Sequence, residues 1–477
     1  MGGVILTDCL SAGIVLHWNT IVSYAEYYHQ KDKSISMKLT LNNEKVVKAW
    51  CMYDWANSVY NLVITTTFFP IYFLGVTKSA FGENTVPFMG KVFKNSALYE
   101  FTLAFAYLSI ALLLPILSSI ADSRGNKKKF MQFFCYMGGL ACMGLFWFDG
   151  ANLGWGIACF IFAVIGYSGS LVFYNSYLPE IAAMEDRDKV SARGFMMGYL
   201  GSVILQLIGF GFVLYYQSRG DNTSGPLLTF LFVGIWWMGF AQIPFAYLPA
   251  GKKRASQEGV NFLTAGFREL RKVFNQVRRT GMLNWFLASF FLYSMGVQTV
   301  MLVASMFGSK ILGLPATNLI VTLVVIQLVG VVGAWAIARM SGFFGNINVL
   351  MGIILLWIVM CVAAHEVATL KETGVDVEFY FYGLAVGVGF VMGGIQSLSR
   401  STYSKLMPVT EDTASFFSFY DMTEKIAIVI GIFTFGFIDE LLGMKNSVLA
   451  LILFFVLGFF ALMVTRYKQQ RQTVNAF

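Results

Sequence analysis

Trp50-Cys51-Met52-Tyr53-Asp54-Trp55-Ala56-Asn57-Ser58-Val59-Tyr60-Asn61-Leu62-Val63-Ile64-Thr65, continued by Thr66-Thr67-Phe68-Phe69-Pro70-Ile71-Tyr72-Phe73-Leu74-Gly75, is the stretch on which the fold turns. It exceeds the roughly 20 residues a helix needs to cross the ~30 Å hydrocarbon core of a bilayer. It nevertheless carries Asp54, Asn57, Asn61 and Thr65 at spacings of three and four, one face of a helix. A carboxylate at membrane depth costs about 2.5–3.5 kcal/mol on insertion scales and rarely faces lipid. The expectation is a first membrane helix whose polar stripe borders a water-filled path.

The composition agrees. Of 477 residues, 57% are hydrophobic and only 13% charged, and the mean hydropathy is +0.65. A soluble domain carries about 25% charged residues, so lipid is the expected main solvent. The net charge of +8 is dispersed among short connections and is no nucleic-acid signal. The six cysteines form no C-x-x-C pair, and the histidines (His17, His29, His365) are too scattered for a metal site. No metal or cofactor is expected. No P-loop appears, and neither a nucleophile–base pair nor a metal cluster suggests an enzyme.

Twelve candidate spans are read, at 46–76, 97–121, 129–149, 153–177, 194–217, 226–249, 283–308, 317–341, 347–365, 379–403, 415–440 and 446–466. If the segment before Trp50 is cytoplasmic, 24 Lys and Arg fall on that side and 7 on the other. That places both termini in the cytoplasm. The longest connection, 250–282, is basic and divides the spans six and six. Its stretch 262–279 reads either as an amphipathic helix at the membrane surface or as a solvated linker helix. The expected division is residues 1–36 as an extension, 37–250 and 283–477 as six-helix halves, and 251–282 as the linker. Residues 1–36 lack a basic start and a cleavage site, and Met37 followed by Lys38 looks like a natural start.

The connection Ser118-Ser119-Ile120-Ala121-Asp122-Ser123-Arg124-Gly125-Asn126-Lys127 has an echo in Ser341-Gly342-Phe343-Phe344-Gly345-Asn346, where the Gly-Asn pairs recur 220 residues apart. Paired features at constant offset suggest a duplicated six-span unit. The first loop resembles the major facilitator signature G-x-x-x-D-R-x-G-R-[RK], with Asp122, Gly125 and Lys127 matching while Ser118, Ser123 and Asn126 depart. The resemblance implies a gate in which Asp122 faces the start of span 11, supported by Arg124, Gly125 and Lys127. Gly342 stands where the second copy would carry its acid, which leaves a symmetrical gate open.

Longer stretches resemble one branch of that superfamily. Tyr53-Asp54-Trp55-Ala56-Asn57-Ser58, Tyr174-Asn175-Ser176-Tyr177-Leu178-Pro179-Glu180, Gly296-Val297-Gln298-Thr299 and Gly393-Gly394-Ile395-Gln396-Ser397-Leu398-Ser399-Arg400-Ser401 are similar to the vacuole-effluxer family, the autophagy-related amino-acid effluxers of fungi and their bacterial relatives. The likeness extends over essentially everything after Met37. Many relatives carry an acid just before the span-7 glycine, where this chain has Met295.

The candidate substrate or ion path comprises Asp54, Asn57, Asn61, Asn175, Gln298, Gln396, Arg400, Asp421, Glu424 and Lys425. Asp54 reads as an ammonium contact, a proton carrier or a structural partner of a cation. Asp421 and Lys425 stand four apart and are expected to pair, leaving Glu424 in need of a partner or a proton. Arg400 snorkels to the inner face, pairs helices or binds a carboxylate. The single amides either join helices or touch the solute.

These readings give an all-α integral membrane protein, twelve helices in two six-helix pseudo-repeated halves of the major facilitator fold, working by alternating access. The resemblance implies a secondary transporter of a small organic solute, amino-acid-like and exported, with proton coupling as an option, in a bacterial inner membrane. The alternatives are a carrier of lipids or other amphiphiles on the same fold and a non-transporting membrane sensor. The expected partners are the bilayer, the solute and protons.

Overall fold

A computed structural model describes residues 41–82, 84–251 and 262–474. Residues 1–36 and part of the linker, 252–261, lie outside the described residues. Twelve long helices follow one another: α1 Glu44–Phe81, α2 Asn95–Arg124, α3 Lys127–Trp147, α4 Leu153–Asn175, α5 Arg187–Gln217, α6 Ser224–Tyr247, α7 Gly281–Lys310, α8 Ala316–Phe344, α9 Asn346–Glu372, α10 Glu378–Leu406, α11 Thr413–Leu442 and α12 Met444–Val474. Eleven are long and apolar enough to cross a membrane by length and composition. The exception is α11, whose first half carries Asp421, Glu424 and Lys425.

Most of the helices run further than the hydropathy pattern suggests, because helical structure continues past the apolar core, while α3, α4 and α6 end two residues earlier. The largest shift at a start is α5, which begins at Arg187 rather than at 194. An antiparallel hairpin, β1 Thr85–Phe88 and β2 Lys91–Lys94, fills the α1–α2 connection and was not foreseen. Its turn places Met89 and Gly90 at positive φ.

Within α1 the backbone widens to a π-helix over Tyr60–Phe68. Pro70 supplies a reason, since it has no N–H to donate and its ring crowds the preceding turn. The hydroxyls of Thr66 and Thr67 donate to the Leu62 carbonyl at 2.9 and 2.7 Å, anchoring the widened turn.

The halves meet along α2 against α11 and along α5 against α8 and α10. Within the second half, α8 and α10 approach closely, and a Cβ on Gly393 would collide with the Gly330 backbone carbonyl. The segment 262–279 is helical, Phe262–Arg279, and packs against α2, α7 and α11. Val273 and Val277 are buried there, so this helix docks on the bundle through one face; Phe267 and Phe274 stay exposed. The end of the bundle that carries the α1 start, the α12 end and this helix is called the basic end below.

Candidate functional site

Between the halves lies a cavity of about 100 Å³, continuous in its lining with a second of about 50 Å³. The structure gathers the sequence-predicted path residues around the larger one, Asn57 excepted. From α1 come Asp54, Ser58 and Asn61; from α4, Asn175; from α7, Gln298; from α10, Gln396 and Arg400; from α11, Asp421, Glu424 and Lys425. The smaller cavity adds apolar walls, among them Leu62, Met301, Leu302 and Met392.

Asn57 is a correction. It is fully buried, does not line either cavity, and its amide has no hydrogen-bond partner. Thr65 is also buried away from the cavities. Asn57 lies in the same regular helical stretch as Asp54 but about 60° round from it, at the edge of the expected stripe, whereas Thr65 lies in the π segment, which changes the phase after Val59. Ser58 and Thr66 face the cavities instead.

Of the readings open for Arg400, the structure has it pairing helices rather than snorkelling: it is 3% exposed and forms a cross-half ion pair with Asp54, Nη2 to Oδ2 at 3.2 Å. Nη1 also donates to Asp54 Oδ2 and to Asn175 Oδ1, both at 3.2 Å. Nε donates to Ser191 Oγ at 2.9 Å, and Nη2 to the Ser191 carbonyl at 2.8 Å. All five guanidinium protons thus have acceptors. Tyr174 completes the shell of Asp54, its hydroxyl donating at 2.7 Å. Trp50, Tyr174 and Phe195 surround the cation, with ring centroids 4.8, 5.4 and 4.3 Å from Cζ. A buried ion pair is tolerated only when its hydrogen bonds are this complete. The close fit needs Gly194, where a Cβ would run into Asp54 Oδ2 and Arg400 Nη2.

The α11 cluster is paired differently from expectation. Lys425 donates to its neighbour Glu424 at 2.6 Å, rather than to Asp421. Gln298 Nε2 donates to the other oxygen of Glu424 at 3.0 Å, bridging α7 to α11. Glu424 therefore has its partners, and Asp421 is the acid left over: it is 1% exposed and its Oδ2 has no hydrogen-bond donor. Tyr107 offers its ring to Lys425 at 5.6 Å. Gln396 accepts from the Tyr199 hydroxyl at 3.1 Å.

Hydrogen bonds between the halves concentrate at the basic end. Asp122 accepts from the Ala414 and Ser415 backbone N–H groups at 3.3 and 2.7 Å and from the Ser415 hydroxyl at 2.7 Å. These are free donors of the first turn of α11, where a helix favours an anion. Lys127 pairs with Glu180, and the Thr413 hydroxyl donates to the same Glu180 oxygen at 2.8 Å. Gly125 turns the α2–α3 loop at φ +62°, and Arg124 lies exposed beside it. Arg187 Nη1 donates to the Ser404 carbonyl at 2.7 Å. Asp188, Ser191, Glu180 and Lys405 belong to this end and escaped the sequence reading. Starting span 5 at 194 discarded the turn that holds Asp188 and Ser191. On the far side of the cavity, Gln327 donates to Gln206 at 2.5 Å.

The comparisons with known proteins agree with this architecture. A bacterial relative, the uncharacterized MFS-type transporter YxiO of Bacillus subtilis, is 31% identical over 420 residues, 87% of this chain and 93% of its own. Autophagy-related protein 22 of Kluyveromyces lactis is 27% identical, over 80% of this chain and 82% of its own. The Yarrowia lipolytica homologue is 28% identical over 56% of this chain and about half (49%) of its own. Among solved structures, the human organic anion transporter MFSD10 superposes with a TM-score of 0.65 at 13% identity, covering 88% of this chain and 99% of its own. A bacterial homologue of the iron transporter ferroportin gives 0.62 at 12% identity, over 89% and 99%. Residues 42–475 match the family described as vacuole effluxer Atg22-like. The chain thus belongs to the Atg22-like vacuole effluxer family of the major facilitator superfamily, and it is a multi-pass membrane transporter, not an enzyme.

Proposed function

We propose that this chain is a secondary transporter of a small zwitterionic solute of the amino-acid type, exporting it by alternating access with proton coupling. The observation that carries this reading is the charge set of the cavity. Lys425 offers an ammonium, and Asp421 offers a buried carboxylate oxygen without a donor. A zwitterion brings the complementary pair: its carboxylate meets Lys425, and its ammonium meets Asp421. Gln298, Gln396 and Asn61 supply neutral hydrogen bonds, and the apolar annex by Met301 and Met392 receives the side chain.

Protons enter through the same acids. A carboxylate oxygen kept from water needs a cation or a proton. When no solute ammonium is present, a proton on Asp421 lets the empty cavity reorient. Glu424, released by Lys425 when the solute carboxylate arrives, is the second carrier. Asp54 and Arg400 keep the cavity closed toward the basic end and release it when the halves rock. The excess of Lys and Arg at that end supports a cytoplasmic placement, with both termini inside a bacterial plasma membrane.

The test is uptake and counterflow in proteoliposomes with a panel of labelled amino acids, with and without a pH gradient. The expected result is saturable exchange of a subset of zwitterions, with accumulation only under a gradient. Absence of exchange for every zwitterion, by protein that is folded, would refute the reading.

A further inference from the structure

Both echoing loops turn at a glycine of positive φ, Gly125 at +62° and Gly345 at +80°, although their ψ values differ (32° and 147°), and Asn126 and Asn346 stand at the start of α3 and α9. They face equivalent targets in the opposite half: the first loop meets the start of α11, and the second meets the start of α5. The first loop carries the acid, Asp122, and α11 supplies the donors. The second loop has no acid, and the position 220 residues after Asp122 is Gly342, which faces open space. The inward position is taken by Ser341, 3% exposed.

We infer that the second gate exists with its polarity reversed, and that Asp188, on α5 of the first half, is its acid. Asp188 is 5% exposed, and three donors from the second half converge on it. The Ser341 hydroxyl donates to Oδ2 at 2.8 Å, Asn346 Nδ2 to Oδ1 at 2.8 Å, and Lys405 Nζ to Oδ2 at 2.6 Å. Asn346 is itself fixed, donating to Thr402 Oγ1 at 3.0 Å and accepting from Lys405 at 3.2 Å.

The arrangement is a latch rather than an internal brace of α5, because each of these partners lies in the other half. It is also aligned with the Asp54–Arg400 node. Asp188 and Ser191 stand three apart on one face of α5, and their partners Lys405 and Arg400 both lie in the last two turns of α10. Ser191 also donates to the Ser397 carbonyl at 2.7 Å. Separating α5 from α10 breaks both contacts in one movement, so the latch reinforces closure of the basic end from its rim. Both acids lie in the first half and both sets of donors in the second, so each loop depends on the opposite half for its partner.

The inference rests on the alternating-access reading but not on any solute, so its test uses inter-half distance alone. Spin labels are placed at the exposed positions Glu185 and Asn348, as Glu185→Cys and Asn348→Cys in a background without other cysteines. In the parent the distance distribution is short. Asp188→Asn and Lys405→Met are each expected to raise the fraction with separated basic ends by roughly tenfold or more, as expected for removing one partner of a buried, hydrogen-bonded charge pair. The swap Asp188→Lys with Lys405→Asp is expected to bring the short distance back, and it serves as the test if a single variant fails to fold. A short distribution retained by Asp188→Asn, while Asp122→Asn lengthens it, overturns the inference. A folded swap that stays separated overturns it as well.

Discussion

Two buried ion pairs border the same cavity, and they are built for different ends. Asp54 and Arg400 come from opposite halves, and the guanidinium is saturated: its five protons have acceptors, and Tyr174 and Arg400 donate to one carboxylate oxygen, Oδ2. Glu424 and Lys425 are neighbours on one helix, and the group around them is incomplete, with an oxygen of Asp421 lacking a donor. A saturated pair between two moving bodies holds them together. An unsaturated group within one body has capacity left for something that arrives from outside. The contrast separates the closing device from the solute site, although the sequence presents both as acids and cations at membrane depth.

The largest effect is expected from removing one side of the saturated pair. Arg400→Ala strands the Asp54 carboxylate among aromatic rings, and removing one member of a buried pair costs about 3–5 kcal/mol. Thermal unfolding in detergent should drop sharply and transport should vanish. An Asp54→Asn protein that keeps its unfolding temperature and its transport rate would erase the distinction between the two pairs. Next comes Lys425→Met, which retains bulk but not charge. It should reduce zwitterion exchange roughly tenfold to hundredfold, the worth of one charge-assisted hydrogen bond, while the unfolding temperature falls less than in Arg400→Ala, because Glu424 is partly exposed and keeps the Gln298 donor. A large loss of stability with normal exchange would assign Lys425 to structure instead.

Asp421→Asn addresses the open acid. Protonation is favoured as pH falls, so in the parent gradient-driven transport should weaken as pH rises on the side that loads the proton. The variant should keep counterflow and lose that pH response; an unchanged response would move the proton elsewhere. Gly194→Ala is a smaller perturbation of the saturated pair. Its methyl intrudes between Asp54 and Arg400, at about 1–3 kcal/mol by analogy with overpacked cores, measurable as a lowered unfolding temperature. The smallest effect is expected at Asp221, an acid outside the spans whose carboxyl is held well below the usual range by hydrogen bonds from Ser224 and Thr223. Asp221→Asn should leave exchange and its pH response intact, since Asp221 borders neither the cavity nor a contact between the halves.

Much of the architecture was legible because bilayer thickness imposes a helix length that hydropathy reveals directly. The residues around the cavity were legible for a related reason: a polar side chain amid a long apolar run must have a wet or paired environment, and Asn61, Asn175, Gln298 and Gln396 stand out on that ground. Partner choice was not legible. Spacing suggested Asp421 with Lys425, yet Lys425 pairs with the adjacent Glu424, because Gln298 on α7 holds Glu424 in place. Asn57 was misplaced because a spacing of three puts it at the edge of the stripe begun by Asp54, and Thr65 by a π-helical stretch whose sequence mark is Pro70. The polar turns at the basic end were lost for the opposite reason to the cavity residues. Asp188 and Lys405 sit where charged side chains are ordinary, so composition cannot distinguish a latch from a solvated helix end.

The central claim is that the polar groups around this cavity border a path reached by water from each side in turn. Asn61→Cys and Gln396→Cys, each as the sole cysteine, should react with a membrane-impermeant thiol reagent applied to either face of sealed vesicles, and the transported zwitterion should protect both. If neither position reacts from either face in protein shown to be folded, the cavity is a sealed packing defect and the account is wrong.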